Sequence, residues 1–189
     1  MEQKSASVPR VRRVRTDALS AAEIDAIRAL VWAAFEDDDP DEPFTQDDWQ
    51  HTIGGEHVVA DEGSRIVAHA SVVGRRLEIG GRALRTGYVE GVATAPDRQG
   101  RGLGTLVMEE VGRIIGEGYE LGALGTGRHA FYERLGWRTW RGPSSVRTPE
   151  GERPTPDDDG YILILTTPAS PPLDLDAAIS CDWRPGDVW

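Results

Sequence analysis

Cysteine is almost absent: Cys181 is the only one in 189 residues. A single thiol closes no internal disulfide and builds no zinc-binding cysteine cluster. Positive charge is also short. Lys and Arg total 21 against 32 Asp and Glu, a formal net charge of −11. That balance excludes the basic face that non-specific binding to nucleic acid or an anionic membrane needs. It favours a cationic partner, although acidity also simply keeps a protein in solution. Residues 1–16 carry basic side chains but no apolar segment, so no secretory signal is expected. No run approaches the roughly 20 apolar residues that cross a bilayer. The expected compartment is therefore the cytoplasm. What is present is enough apolar material for a core, 39% hydrophobic against 28% charged. The length falls within the roughly 100–200 residues of one domain, so residues 1–189 are read as a single domain.

The pattern alternates strands and helices. Val8 to Thr16 reads as a first strand. Ser20-Ala21-Ala22-Glu23 matches a capping box, and Ile24, Ile27, Leu30, Val31 and Phe35 follow at helical spacing. The acidic stretch from Glu36 to Pro43 holds two prolines and reads as a loop. Thr45 can cap a short helix through Trp49 and Ile53, ended by Gly54-Gly55. His57 to Ala60 and Ile66 to Val73 read as strands about a turn; Leu77 to Ile79 and Leu84 to Ala93 flank Gly80-Gly81 as a second hairpin. A helix is predicted from Leu103 to Ile115, a strand from Tyr119 to Leu124 and a short helix from Ala130 to Leu135. Late strands are predicted at Trp137 to Trp140 and Tyr161 to Leu165. Pro168 to Pro172 resembles a linker, and the tail beyond it either docks on the domain or hangs free. This order suits a mixed α/β sheet.

The sharpest local signal is the run from Val92 to Gly104. There an apolar strand enters Asp97-Arg98-Gln99-Gly100-Arg101-Gly102-Leu103-Gly104 and the turn opens a helix. Glycines let the backbone approach a ligand and bare its N–H groups. A helix start adds partial positive charge, which suits a pyrophosphate. Arg98 and Arg101 can add charge-assisted contacts to phosphate. Glycines alone would equally serve a tight strand-to-helix connection with two solvated arginines. A P-loop is excluded, because Gly-Lys-Ser/Thr is missing, and the spacing Gly100-x-Gly102-x-Gly104 is not that of a dinucleotide fingerprint.

What remains, Gln99-x-x-Gly102-x-Gly104, resembles the pyrophosphate-binding motif of the GNAT N-acetyltransferases. The likeness extends to Gly87-Tyr88-Val89-Glu90-Gly91-Val92-Ala93, to 119–124, 142–146 and 155–160, and to the terminal Cys181-Asp182-Trp183-Arg184-Pro185-Gly186-Asp187-Val188-Trp189. Over about residues 51–189 the chain resembles the aminoglycoside 2′-N-acetyltransferases. The resemblance implies the GNAT fold, a central mixed, largely antiparallel sheet with a splayed strand pair flanked by helices. It also implies acetyl-CoA as co-substrate and acetyl transfer to the 2′-amino group of drugs such as gentamicin, tobramycin or kanamycin B, in a direct ternary complex. A homodimer paired through late strands is implied as well. The stretch Gly125-Thr126-Gly127-Arg128-His129-Ala130 departs from the family pattern, in which this segment is longer and rich in serine.

Acetyl transfer to an amine needs a neutral nitrogen, a hydrogen bond to the thioester oxygen as charge develops, and a proton for the leaving thiolate. No covalent enzyme intermediate is required, so Cys181 need not act. Glu90 precedes the glycine turn between Gly87 and Gly91, and a strand glycine often marks a bulge or close approach. On the resemblance Glu90 is the candidate base, acting directly, through water, or only as a substrate anchor. A solvated or paired strand carboxylate is the alternative. Tyr132, in Phe131-Tyr132-Glu133-Arg134-Leu135-Gly136-Trp137, resembles the family tyrosine whose hydroxyl reaches the coenzyme sulfur, and is the candidate acid. The resemblance also implies coenzyme contacts at Val92, Ala93, Thr94, Arg98, Gln99, Gly100, Arg101, Gly102, Leu103, Gly104 and Thr105. It places Asp48, Glu90, Gly91, Gly125, Asp158, Asp187 and Trp189 along the substrate groove.

A polyamino sugar is a polycation, so its groove needs spread carboxylates, and the net charge is consistent with steering it. Asp157-Asp158-Asp159 would otherwise be an ordinary solvated turn. The tail joins carboxylates to large indoles, a poor composition for a free terminus, and residues 168–189 are read as folding back onto the site. The run Asp37-Asp38-Asp39-Pro40-Asp41-Glu42 invites a calcium reading with Asp48. An EF-hand, however, needs Gly where Glu42 stands and prefers Glu where Asp48 stands. A flexible acidic lid is the milder reading. His51, His57, His69 and His129 lack metal-ligand spacing, and no metal is expected. Two rivals remain: an acetyltransferase for another cationic amine, and a non-catalytic module that binds coenzyme or drug.

Overall fold

The structure, a computed structural model, describes residues 8–36 and 44–189. The acidic run, and with it the lid and calcium readings, lies mostly outside the described residues. The elements in chain order are β1 (Arg10–Arg15), α1 (Ala21–Glu36), α2 (Gln46–His51), β2 (Glu56–Glu62), β3 (Arg65–Ile79), β4 (Arg82–Thr94) and α3 (Leu103–Gly118). Then follow β5 (Leu121–Gly125), α4 (His129–Glu133), β6 (Arg138–Thr139), β7 (Ser144–Thr148), β8 (Gly151–Pro154), β9 (Ile162–Thr166) and β10 (Ile179–Asp182).

Local chemistry sets the ends of these elements. Ser20 Oγ accepts from Glu23 N at 3.3 Å and Ser20 N donates to Glu23 Oε2 at 2.9 Å, the reciprocal pair that starts α1. Thr45 and Asp48 do the same for α2. Gly80 and Gly81 both take positive φ, 55° and 79°, as the tight turn between β3 and β4 demands. One expectation is corrected here. Residues 66–73 and 77–79 are not separate strands but parts of β3, 15 residues long. Gly74-Arg75-Arg76 interrupts the apolar pattern without breaking the ladder, because Gly74 lies against the Tyr119 ring and Arg75 lies over Tyr88, 4.5 Å from its centroid.

β3 and β4 form the spine of one mixed sheet, in the order β6-β9-β5-β4-β3-β10-β7-β8, with β2 and β1 added on β3. β10 wedges between β3, to which it is antiparallel, and β7, to which it is parallel. The tail is therefore part of the sheet. α1 and α3 cover one body of core, built from Ile27, Val31, Val58, Val107, Val111 and Ile115. A second body gathers Leu77, Tyr88, Leu121, Trp140, Ile179 and Trp189. Each buried aliphatic side chain of this kind contributes about 1.5–3 kcal/mol.

Two irregularities in β4 place the site. Its parallel pairing with β5 covers only Thr86↔Leu121 to Tyr88↔Ala123, after which Leu124 and Gly125 of β5 pair with β9 alone. Its register with β3 shifts between Ser71↔Glu90 and His69↔Ala93, so Gly91 and Val92 face the single residue Ala70. This is a β-bulge, with Gly91 at φ 56°. The strand thus splays from β5 just where it bulges.

Candidate functional site

The glycine turn lies beyond the C-terminal end of β4. Gly100 and Gly102 take φ of 73° and 79°, and a Cβ on either would meet nothing within 4 Å. Open space thus faces both. Gly102 is the N-cap of α3 and no side chain caps it. The amides of Leu103, Gly104 and Thr105 open that helix, where N–H groups have no intrahelical acceptor. A Cβ on Gly104 would sit 3.4 Å from the Phe131 ring and 3.5 Å from Thr94 Oγ1, so α4 lies tightly across the turn. Gln99 and Arg101 are exposed beside it. Arg98 is not aimed there. Its Nε donates to Glu62 Oε2 at 2.8 Å and its Nη1 to Asp97 Oδ2 at 2.6 Å, so two acids hold the guanidinium.

α4 presents Tyr132. The side chain is buried, edge-on to Phe131 with centroids 4.9 Å apart, in the same core body as Ala93 and Leu103. Burial pushes its phenol up to about 12, opposed by Arg128, so it stays protonated at neutral pH.

On β4, Glu90 accepts from Arg184 Nη1 at 2.5 Å. Burial raises the carboxyl above its ordinary range, and Arg184 opposes that rise. Arg184 also donates to Asp187 O at 2.6 Å and to Trp189 O at 3.4 Å, so one guanidinium ties Glu90 to the tail. Trp189 is buried. Its indole Nε1 donates to Thr155 Oγ1 at 2.9 Å, its amide donates to Asp187 Oδ1 at 3.1 Å, and its terminal carbon lies 3.4 Å from where a Gly125 Cβ would be. Burial, and then the charge of Asp187, raise the Asp158 carboxyl. Of its neighbours, Asp159 is occupied otherwise, accepting from Ser144 N at 2.7 Å.

The structure therefore gathers Glu90, Gly125, Asp158, Asp187 and Trp189 on one side of the splayed strand. α2 touches the same region: His51 Nε2 donates to Pro185 O at 2.8 Å, and a Cβ on Gly186 would press Asp47 at 2.9 Å. Asp48, however, spends Oδ2 on its own helix, accepting from Thr45 N and Oγ1 at 2.7 Å each. Among the described residues no group of three or more His, Cys, Asp or Glu side chains is placed to hold a metal ion, and no helix is long and apolar enough to cross a membrane.

Four contributors escaped the sequence reading. Arg184 lay inside the quoted terminal segment, but its partner stands 94 positions away. Arg75 Nη2 donates to Asp182 O at 2.9 Å and Val188 O at 2.8 Å, clamping the tail. Its Nη1 and the Tyr88 hydroxyl are both buried without a hydrogen-bond partner. His57 and His69 are fully buried and joined by a 2.9 Å hydrogen bond. The available signal was a histidine against an apolar run: His57 just before Val58 to Ala60, and His69 within Ile66 to Ala70.

Comparison with known proteins agrees with this geometry. Residues 15–140 match the family described as acetyltransferase (GNAT) domain. The aminoglycoside 2′-N-acetyltransferase of Mycolicibacterium fortuitum is 43% identical over 182 residues, 94% of this chain and 91% of that protein. Among solved structures, a GNAT family acetyltransferase from Brucella melitensis in complex with acetyl-CoA superposes with TM-score 0.59 at 19% identity, covering 88% of this chain and 92% of that one. A GCN5-related N-acetyltransferase from Kribbella flavida gives TM-score 0.56 at 22% identity over 70% of this chain; the chain spans only 34% of that larger protein. These two likenesses speak for the fold.

Proposed function

The chain belongs to the GNAT acetyltransferases and, within them, to the aminoglycoside 2′-N-acetyltransferases, and from that membership we propose how its residues carry the reaction. It moves acetyl from acetyl-CoA to the 2′-amino group of gentamicin, tobramycin or kanamycin B, both substrates bound together in the cytoplasm. Acetyl-CoA supplies the acyl group as a thioester. The residues present fit it: the open, positive-φ glycines at 100 and 102 and the uncapped start of α3 offer bare N–H groups to a pyrophosphate. The gap between β4 and β5 after Tyr88 leaves the backbones of Val92 and Thr94 without strand partners on that side for the pantetheine arm.

The substrate amine arrives among Glu90, Asp158, Asp187 and the terminal carboxylate. Glu90 accepts its proton, directly or through water, leaving a lone pair to attack the thioester carbon. The C–N bond forms, the C–S bond breaks, and Tyr132 supplies the proton that the departing sulfur takes. A β4 amide stabilises the oxygen as charge develops on it. Acetylation removes one positive charge from the drug, the kind of charge through which such molecules hold RNA phosphate. β8, exposed along its whole length at one end of the sheet path, supports dimer pairing through a late strand; sedimentation showing a monomer would refute that part.

The observation that carries the reading is a largely covered carboxylate, Glu90, paired with Arg184 of the acidic tail beside an open glycine turn. A thiol-release assay with acetyl-CoA and tobramycin tests it. Release of free CoA with one acetyl added per drug is expected. Binding of both ligands without release would leave a sequestering module. Release with another cationic amine but not with aminoglycosides would select a different substrate.

A further inference from the structure

A chain of hydrogen bonds runs from Thr16, just past the end of β1, to the bulge on β4. Gly54 N donates to Thr16 Oγ1 at 3.0 Å, and Thr16 Oγ1 lies 2.9 Å from His57 Nε2. His57 Nδ1 lies 2.9 Å from His69 Nε2, and His69 Nδ1 lies 2.7 Å from Gly91 O. Neither imidazole is exposed to solvent.

The protons along it follow from one end. A carbonyl oxygen only accepts, so His69 Nδ1 carries a hydrogen. The ring is neutral, since burial and the neighbouring imidazole depress its pKa to about 3. Its Nε2 is therefore bare and accepts from His57 Nδ1–H. The same logic leaves His57 Nε2 bare, facing the Thr16 hydroxyl, whose hydrogen it shares with Gly55 O at 3.2 Å.

Apolar side chains would fill this space without the cost of burying two imidazoles. What the histidines do instead is hold one carbonyl. At the bulge Gly91 has no ladder partner on β3, and a buried carbonyl left unpaired is costly. His69 takes the place of the missing strand amide. In a trans peptide the C=O and the following N–H point opposite ways. Fixing Gly91 O toward His69 therefore turns Val92 N–H away from β3, to the side where β4 has parted from β5.

The geometry points to His69 as a positioning residue that aims the Val92 amide at the thioester oxygen, with His57 and Thr16 holding His69 in the required tautomer. This rests on the acetyl-transfer reading for its purpose, but the tautomers do not depend on that reading.

Long-range proton–nitrogen spectra of the ¹⁵N-labelled full chain test the first part. Both histidines should be neutral Nδ1–H tautomers, and an Nε2–H tautomer at His69 overturns the proposal. Kinetics test the second. His69→Asn keeps a donor near the Nδ1 position, whereas His69→Gln moves it outward. His69→Gln should lower kcat about 10- to 100-fold, with acetyl-CoA affinity by calorimetry unchanged, and His69→Asn should recover most of the loss. Equal losses in both, or a loss confined to KM, overturn the positioning role. Should His69→Gln fail to fold, His57→Leu removes only the neighbouring donor. It should then mix the His69 tautomers and lower kcat; an unchanged tautomer and kcat would overturn the proposal. A wild-type chain that transfers no acetyl refutes the functional reading alone, and the tautomers still decide whether the carbonyl is pinned.

Discussion

Glu90 is caught between two opposing influences. Burial favours its protonated form, while Arg184 beside it favours the carboxylate that can accept a proton. Two predictions follow from that balance. Glu90→Gln should lower kcat by about 10²–10⁴ while leaving acetyl-CoA binding intact, measured by steady-state kinetics alongside calorimetry. Arg184→Gln removes the influence that lowers the carboxyl. The acidic limb of kcat/KM against pH should then move to higher pH, and an unmoved limb would remove Glu90 as the titrating group. Tyr132 differs. Held near 12 by burial, it has no titration near neutrality, so Tyr132→Phe should cost about 100-fold in kcat with no shift of the acidic limb. At this scale the sequence was legible where a residue's neighbours in the chain announce it. Glu90 between Gly87 and Gly91 and the glycine turn were visible in that way. Arg184, His57 and His69 were not, because each acquires its meaning from a partner on another element.

Elements were legible in proportion to how local their cause is. The apolar spacing of α3 and the capping box of α1 are written within a few residues, and both helices occur where the pattern puts them. The sequence pattern divides β3 because Gly74 and Arg75 look like a break, yet their surroundings, the Tyr119 and Tyr88 rings, come from elsewhere in the chain. β7, β8 and β10 were not read as strands at all. β10 has only four residues, and its partners β3 and β7 lie far away in sequence. The docking of this late strand depends on close backbone approach. A Cβ on Gly142 would stand 1.9 Å from Ala177 O, a contact that forces the chains apart. Gly142→Ala should therefore destabilise the fold by about 1–3 kcal/mol in urea. Gly116→Ala, in α3 with nothing within 4 Å of the new methyl, should stabilise it by about 0.5–1 kcal/mol. Equal midpoints for the two variants would contradict this view of the tail.

The molecule as a whole carries its two neutral imidazoles at a cost that depends on pH. Above about 6.5 they are neutral folded or unfolded and contribute no pH dependence. Below that the unfolded chain takes up protons that the folded chain refuses down to about 4 at His57 and about 3 at His69. Stability therefore falls as pH falls, by about 1.4 kcal/mol per pH unit for each histidine. Glu90 and Asp158, whose carboxyls are raised, act in the opposite sense at lower pH. Urea midpoints should drop from pH 6.5 to 5, with His51, also lowered by burial, adding in the same sense, and the drop should shrink in His57→Leu, where one of the depressed groups is gone. The net charge of −11 belongs to the same scale. It is consistent with steering a polycation and does not say where that molecule is modified. That position is the central claim, and a matched pair of drugs tests it most directly. Kanamycin B bears an amine at the 2′ carbon and kanamycin A a hydroxyl. With acetyl-CoA present, free thiol should appear with kanamycin B and not with kanamycin A; equal release with both, or release with A alone, would contradict the account.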